Sequence, residues 1–372
     1  MTAALTPAQS GYDQAEHAPG PAVPVVVGAA DTHKDFHHGA VVDAQGRHLG
    51  DQRFPATRRG YGALLAWLRS FGLLARVGVE GTGSYGIGLS RYLAAQGVAV
   101  VEVNRPDKAL RRRKGKSDAI DAYAAAEAAA SGRAQTIPKD RTGTVEAIRV
   151  LRETRAGAIK SRTAAINTLK TLLTTAPDEL GDQLCGLSRT MLITTCAELS
   201  DDPTRRGEPE QATRMALRLH AQRIQTLNSE IAILDGHLTP LVAATAPTTV
   251  AIFGAGTETV GQLLVTAGEN IGRLASEASL AALCGASPIP ASSGRTDRHR
   301  LNRGGDRQAN KALHQIVMVR LRHDQATRDY RDKRRQQGLS TKEIIRCLKR
   351  YVVREIYRAL YNDLTPQALD NQ

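Results

Sequence analysis

Apolar and polar positions along this chain fall into three successive rhythms. Between residues 24 and 130, short apolar runs alternate with helical patterns. Pro24–Ala30 reads as a strand, followed by strands at Phe36–Val42 and Arg47–Phe54 joined by a turn at Asp43-Ala44-Gln45-Gly46. Tyr61–Phe71 sets Leu64, Leu65 and Leu68 on one side of a helix. Arg76–Glu80 is a strand, Gly88–Gln96 a helix, Val98–Val103 a strand, and Ser117–Ala130 an Ala-rich helix ending at Gly132. From 145 to 242 the pattern is that of long helices. Leu217, Ile224, Ile231 and Leu238 recur every seven residues, with Leu227, Leu234 and Leu241 in the interleaved position, the a/d seam of a coiled coil. Ile159, Ile166 and Leu173 offer an antiparallel partner, Ser200–Pro209 a connecting loop, and His220 reads as an end-of-seam residue. From Pro247 the elements are shorter: a Gly/Ser/Pro-rich loop over Gly285–Gly305, a helix over Ala309–Arg322 and a basic helix over Lys342–Leu360.

These rhythms divide the chain into a disordered Ala/Pro/Gly-rich tail (1–22), an α/β domain (23–140), a helical coiled-coil region (141–245), a mainly helical domain (246–330) and a basic C-terminal helix and tail (331–372). The order β-β-β-α-β-α-β-α in the second segment is that of the ribonuclease-H-like fold. There the first three strands are antiparallel and the fourth pairs in parallel beside the first.

That order gives four carboxylates a common destination. Asp31 ends the run Val25-Val26-Val27-Gly28-Ala29-Ala30, and Glu80 ends Val77-Gly78-Val79. Asp118 and Asp121 lie three apart at a helix start and share a face. Two parallel strand ends and one helix face converge on one pocket. Four acids together repel one another and raise their own pKa values unless a cation intervenes. Hard cations such as Mg²⁺ prefer carboxylate oxygens, and two of them about 4 Å apart suit attack on a phosphodiester.

Charge points the same way. The 372 residues carry a net +13, and from Arg295 to Arg358 there are 19 Lys/Arg against 7 Asp/Glu, so almost all the excess lies in one stretch. A second basic run, Arg111-Arg112-Arg113-Lys114 with Lys116, stands just before Asp118. Basic clusters beside an acidic pocket indicate a polyanion held by its phosphates. No apolar run reaches about 18 residues, which excludes a membrane span, and the start of the chain lacks a secretory pattern. Cys185, Cys196, Cys284 and Cys347 form no C-x-x-C pair and read as reduced thiols of a cytoplasmic protein.

Several other motifs compete for attention. Gly81-Thr82-Gly83-Ser84-Tyr85-Gly86 is a literal G-x-G-x-x-G between a strand and a helix, with Glu102 as a potential ribose acid. Against dinucleotide binding, Glu80 would repel a pyrophosphate and three strands precede the motif. His33, His37 and His38 cluster without a cysteine, and read as surface residues rather than a zinc site. Gly254-Ala255-Gly256 resembles the turn of a helix-hairpin-helix, or a plain packing turn. Ser292-Ser293-Gly294 is a turn followed by Arg295, Arg298 and Arg300. A hydroxyl amid guanidinium groups is well placed to attack a phosphate.

Together these stretches resemble the bacterial insertion-sequence transposases of the one-ten class, DEDD transposases described as bridge-RNA-guided recombinases. The resemblance runs from about Val25 to Leu360. It rests on Gly28-Ala29-Ala30-Asp31-Thr32-His33-Lys34, Val79-Glu80-Gly81-Thr82-Gly83 and Lys116-Ser117-Asp118-Ala119-Ile120-Asp121-Ala122. In the C-terminal half it rests on Phe253-Gly254-Ala255-Gly256-Thr257, Cys284-Gly285-Ala286-Ser287-Pro288, Ser292-Ser293-Gly294 and Asn302-Arg303-Gly304-Gly305. The small residues before Asp31, Gly81 after Glu80, and the doubled serine depart from the commoner pattern.

The resemblance implies a RuvC-like N-terminal domain with Asp31, Glu80, Asp118 and Asp121 as Mg²⁺-binding catalytic acids. It implies a C-terminal domain whose serine attacks DNA: Ser293, directly before glycine, with Ser292 as the alternative. Arg111, Arg112, Arg113, Lys114, Lys116, Arg295, Arg298, Arg300 and Arg303 are then nucleic-acid contacts. Expected partners are donor and target DNA, a structured guide RNA, and further copies of the chain in a dimer or tetramer with composite sites. The alternatives are a RuvC-like endonuclease that hydrolyses DNA without the serine, and a non-catalytic nucleic-acid scaffold indifferent to Mg²⁺.

Overall fold

The computed structural model describes residues 23–103, 117–295 and 299–365. The expected tail, Arg111, Arg112, Arg113, Lys114, Lys116, Arg298 and residues 366–372 lie outside the described residues. The chain divides into two compact units at Pro138/Lys139. Among the described residues no helix is long and apolar enough to cross a membrane.

The first unit follows the expected order: β1 (Val25–Thr32), β2 (Phe36–Asp43), β3 (His48–Pro55), α1 (Arg58–Arg69), β4 (Leu73–Glu80), α2 (Ile87–Ala95), β5 (Val100–Val103) and α3 (Asp118–Ala130). The sheet order is β3-β2-β1-β4-β5. β1 and β2, and β2 and β3, are antiparallel; β1 and β4, and β4 and β5, are parallel. Side chains alternate across a strand, and here both faces are covered, which explains the unbroken apolar run of β1. Val26 and Ala30 pack with Leu64, Leu68, Val77, Val79, Leu89 and Leu93 on one face. Each of those fully buried leucines contributes roughly 1.5–3 kcal/mol. Val27 and Ala29 pack on the other face with Ala125, Ala126 and Ala129 of α3. Alanines and Gly78 let that helix lie close: a Cβ on Gly78 would come within 3.1 Å of the Ala125 carbonyl and 3.2 Å of Ala129 Cβ. By alternation, Asp31 continues the Val27–Ala29 face and Glu80 the Gly78 face, so both belong to the side covered by α3.

The second unit is almost wholly helical: α4 (Thr144–Thr174), α5 (Asp178–Leu184), α6 (Arg189–Ala197), α7 (Pro209–Thr245), α8 (Pro247–Val250), α9 (Thr257–Ala267), α10 (Glu277–Leu283), α11 (Arg307–His323), α12 (Gln325–Gln336) and α13 (Thr341–Leu364). The strand pair β6 (Ile289–Pro290) and β7 (His299–Arg300) interrupts it. α4 and α7 lie antiparallel, since Arg155 pairs with Asp235 while Arg162 donates to Asn228 Oδ1 at 2.9 Å. Leu217, Ile224, Ile231, Leu234 and Leu238 are buried as the heptad predicts, and so are Ala221 and Val242, whereas Leu227 and Leu241 are half-buried. A straight helix drifts by about 20° per heptad, and neighbours four residues on take over. On α4, beyond Val145 and Ile148 in its first turns, the buried positions are Ala158, Ala165 and Leu169, with Ile159, Ile166 and Leu173 at the flank. Small alanines let the axes approach and push the larger side chains outward.

One buried cluster joins Val145 and Ile148 of α4, Leu238 and Val242 of α7, Leu263 and Leu264 of α9, Leu313 and Ile316 of α11, and Ile344, Leu348, Val352, Ile356 and Leu360 of α13. The basic C-terminal helix therefore hides an apolar stripe at a spacing of four, and is a wall of this core.

Candidate metal centre and serine turn

The chain sequence brings the first cluster together at the C-terminal end of β1. Ala30 lies opposite Val79 in the parallel register, so the next residues, Asp31 and Glu80, close their strands side by side. The Thr32 hydroxyl donates to the Glu80 carbonyl at 2.8 Å and ties the two strand ends. Gly81 follows with φ of 66°, a left-handed conformation that suits glycine. Above this edge starts α3, its N-terminus capped by Ser117, whose hydroxyl accepts from the Ile120 amide at 3.3 Å. The cap places Asp118 and Asp121 in the first turn.

Asp31, His33 and Asp118 each offer one ligand atom, and these atoms all lie within 4.8 Å of one another. His33 Nε2 stands 3.1 Å from Asp31 Oδ2 and 3.5 Å from Asp118 Oδ1. Arg53 of β3 donates to Asp118 Oδ2 at 2.8 Å, and its guanidinium lies 4.6 Å over the Phe36 ring. Asp31 and Asp121 are buried, while Asp118 and Glu80 are half-buried. Burial pushes the Asp31 carboxyl above its ordinary value; His33 pulls it back, and the charges of Asp121 and Asp118 add to the rise. Three carboxylates thus feel one another at a strand edge. That donor set, hard oxygens with one imidazole nitrogen, fits a divalent cation.

Two residues entered this cluster without being chosen from the sequence. His33 reads there as a surface residue, yet its ring bridges two acids. Its signal was its spacing, two residues beyond Asp31 in the turn to β2. Arg53 left no signal, because only the β2–β3 register carries it to α3. His37 and His38 do not join His33. The His37 ring is buried against Tyr61, stacked at 5.5 Å, on the opposite face of the sheet. His38 Nε2 bonds Asp51 Oδ2 at 2.6 Å. The glycine-rich turn after β4 is spoken for internally. The Ser84 and Gly86 amides both donate to the Gly81 carbonyl, and the Thr82 hydroxyl donates to Glu102 Oε1 at 2.7 Å. Two of the turn's amides and one oxygen of Glu102 are thus engaged inside the protein, which counts against a dinucleotide fingerprint.

The second unit carries the serine turn. Ile289 pairs with Arg300 and Pro290 with His299, and the connection between them holds Ser292, Ser293, Gly294 and Arg295. Ser292, Ser293, Arg295, Arg300 and Arg303 are exposed, and Gly294 has φ of 57°. The legs of this excursion meet backbone to backbone. A Cβ on Gly285 would stand 2.5 Å from the Gly304 carbonyl, and one on Gly305 would stand 2.6 Å from the Leu283 carbonyl. The Cys284-Gly285 and Gly304-Gly305 motifs are therefore the two halves of one joint. Cys284 beside it is inert, since burial, with the Asp306 charge adding, pushes its thiol up to about 12.

Two family models match the two parts just described. A transposase model of the DEDD, IS110 type spans residues 28–176, which include all four acids. A second, described as the transposase IS116/IS110/IS902 family, spans residues 250–332, which include the serine turn. The chain belongs to the IS110-class insertion-sequence transposases. No curated protein matches it closely enough to add to this. The transposase is thus a DNA-cleaving and recombining enzyme with DNA as its substrate, and its DEDD family implies a divalent metal cofactor. Its acid cluster lies in the first unit and its serine turn in the second.

Proposed function

We propose that this transposase cuts and rejoins DNA strands by serine attack on phosphodiesters at a Mg²⁺-dependent centre, guided by a structured non-coding RNA. The observation that carries the reading is the gathering of Asp31, His33 and Asp118 within 4.8 Å, with the Asp121 charge felt at Asp31. The strand order β3-β2-β1-β4-β5 supports a ribonuclease-H-like, RuvC-like domain. Asp31, Glu80, Asp118 and Asp121 would hold the cation, which when bound supplies positive charge for the scissile phosphate and the departing 3′ oxygen.

The protein's own groups do the rest. The Ser293 hydroxyl loses its proton and forms a new P–O bond while the bond from phosphorus to the 3′ oxygen breaks; that oxygen leaves as a hydroxyl. One phosphodiester is exchanged for another, so the reverse attack by a different 3′ hydroxyl rejoins DNA without ATP. Arg295, Arg298, Arg300 and Arg303 bind flanking phosphates and oppose the extra charge of the transition state. Arg111, Arg112, Arg113, Lys114 and Lys116 track the nucleic-acid backbone, while base pairing reads sequence. Assembly as a dimer or tetramer belongs to the same proposal; the seam between α4 and α7 is filled within one chain and does not itself supply that contact.

Trapping a covalent protein–DNA adduct tests the reading. Wild type should form it in Mg²⁺, and neither Ser293→Ala nor Asp118→Ala should, while both retain RNA binding. Strand cleavage by Ser293→Ala without an adduct would instead identify a hydrolytic nuclease. RNA that co-purifies and maps to the non-coding stretch beside the gene supports the guide.

A further inference from the structure

We infer that Asn310 and Lys349 form a clamp that positions the serine turn, so that the C-terminal helix acts on the reaction through the base of the β6–β7 hairpin. The inference rests on the reading of Ser293 as nucleophile for its catalytic consequence, but not for the clamp itself.

The described residues 286–295 and 299–303 lie between the helical core's exit at Gly285 and its re-entry at Gly304. Among the described residues, the excursion is tied by the two-residue strand pair, by a bridge at Ser293 and by the Ala286 and Ser287 amides, which donate to the Ala281 carbonyl, so its aim depends on how its legs are held. The legs meet at the glycine joint, and the Asp306 amide donates across it to the Leu283 carbonyl at 2.7 Å. Asn310, one turn into α11, completes the joint. Its side-chain NH₂ donates to the Cys284 carbonyl at 2.9 Å and to the Gly285 carbonyl at 3.1 Å. Its oxygen accepts from Lys349 Nζ at 2.7 Å. A lysine ammonium only donates, so Lys349 dictates which way the Asn310 amide faces, and therefore that both its N–H bonds go to the hairpin leg. All three bonds are partly buried, where an unmatched polar group costs more than a bond contributes. Burial also lowers the Lys349 pKa.

An amide with both donors on successive carbonyls has no near-equivalent substitute. The change Asn310→Asp leaves the side chain almost the same size, yet sets a carboxylate oxygen against those two carbonyls. A serine hydroxyl is too short to span them. Lys349→Met keeps the aliphatic stem and removes only the donor, which frees the amide to turn. The role is thus distinct from that of a lysine that binds DNA phosphate, whose loss weakens binding and lowers its salt dependence.

The test uses the full chain. Hydrogen exchange of the 286–303 amides is measured in wild type, Asn310→Asp and Lys349→Met, with α9 (257–267) as internal control. The clamp predicts about tenfold faster exchange in the excursion for Asn310→Asp, and a smaller rise for Lys349→Met, with α9 unchanged. Adduct formation at saturating DNA and Mg²⁺ should slow by a comparable factor, with DNA affinity and its salt slope as in wild type. Wild-type exchange of the excursion in both variants overturns the clamp. If Asn310→Asp fails to fold, Lys349→Met alone carries the exchange test. An adduct still formed by Ser293→Ala overturns the nucleophile reading, and leaves the exchange result to decide the clamp. A Lys349→Met protein that loses DNA affinity and salt slope, with normal exchange, assigns Lys349 to phosphate binding and overturns its place in the clamp.

Discussion

Replacing Asp31 with Asn should stabilise the metal-free protein and abolish its response to Mg²⁺, two effects of opposite sign from one atom's change. The Asp31 and Asp118 ligand atoms lie no more than 4.8 Å apart. At that separation two negative charges repel by about 1 kcal/mol in a water-like medium, and by about 3.5 kcal/mol at an effective dielectric near 20. His33 offsets part of this through its 3.1 Å contact with Asp31, so the net gain on neutralising Asp31 is about 1 kcal/mol, or roughly 3 °C in melting temperature. Wild type in Mg²⁺ at about 100 times its Kd gains about 2.7 kcal/mol by mass action; the variant lacks the ligand that makes that gain. Thermal melting in chelator and in a Mg²⁺ series measures both. A variant that melts below wild type in chelator, or that still climbs with Mg²⁺, refutes the shared-charge centre.

Other expectations follow from neighbouring observations. His37 is buried, and burial holds its pKa below the ordinary 6.5. The unfolded chain then takes up a proton first, so stability present above pH 6.5 is lost as pH falls towards the lowered folded value; His37→Phe should flatten that slope in chemical-denaturation curves between about pH 7 and 5. Gly78→Val drives side-chain atoms against the Ala125 carbonyl and Val103, and should cost about 1–3 kcal/mol while weakening Mg²⁺ stabilisation, because it lifts the helix that carries Asp118 and Asp121. Leu263→Ala, fully buried in the second unit, should cost about 2–5 kcal/mol in calorimetry and leave that Mg²⁺ response intact. Removing residues 341–372 takes Ile344, Leu348, Val352, Ile356 and Leu360 out of the core, and circular dichroism should report loss of the second unit's cooperative melting.

Local pattern carried far in this chain. Apolar runs marked β1, β2, β4 and β5, because strand residues buried on both faces must be apolar, whereas the mostly exposed β3 was marked by the turn before it; the acids at the ends of β1 and β4 were visible as the first charges after such runs. The Ala-rich pattern from Ser117 and the Asp-x-x-Asp spacing marked the start of α3 and the face that Asp118 and Asp121 share, since helical periodicity is a property of a few adjacent residues. The heptads of α7 likewise announced their buried stripe. Helix α12 did not announce itself: its sequence is polar all round, with Thr327 as its buried residue, so it follows from the cap at Asp324 and from packing alone.

What the chain could state by itself was which residues turn inward and where each element stops, because those depend on neighbours a few positions away. Which residues then meet was decided only by tertiary structure. Arg53 reaches Asp118 across 65 positions through the register of two antiparallel strands, and Lys349 reaches Asn310 across 39 through the packing of two helices. His33 became part of the acid cluster because a tight turn returns it over Asp31. Periodicity specifies a face; only the pairing of strands and the seating of helices specifies what that face touches.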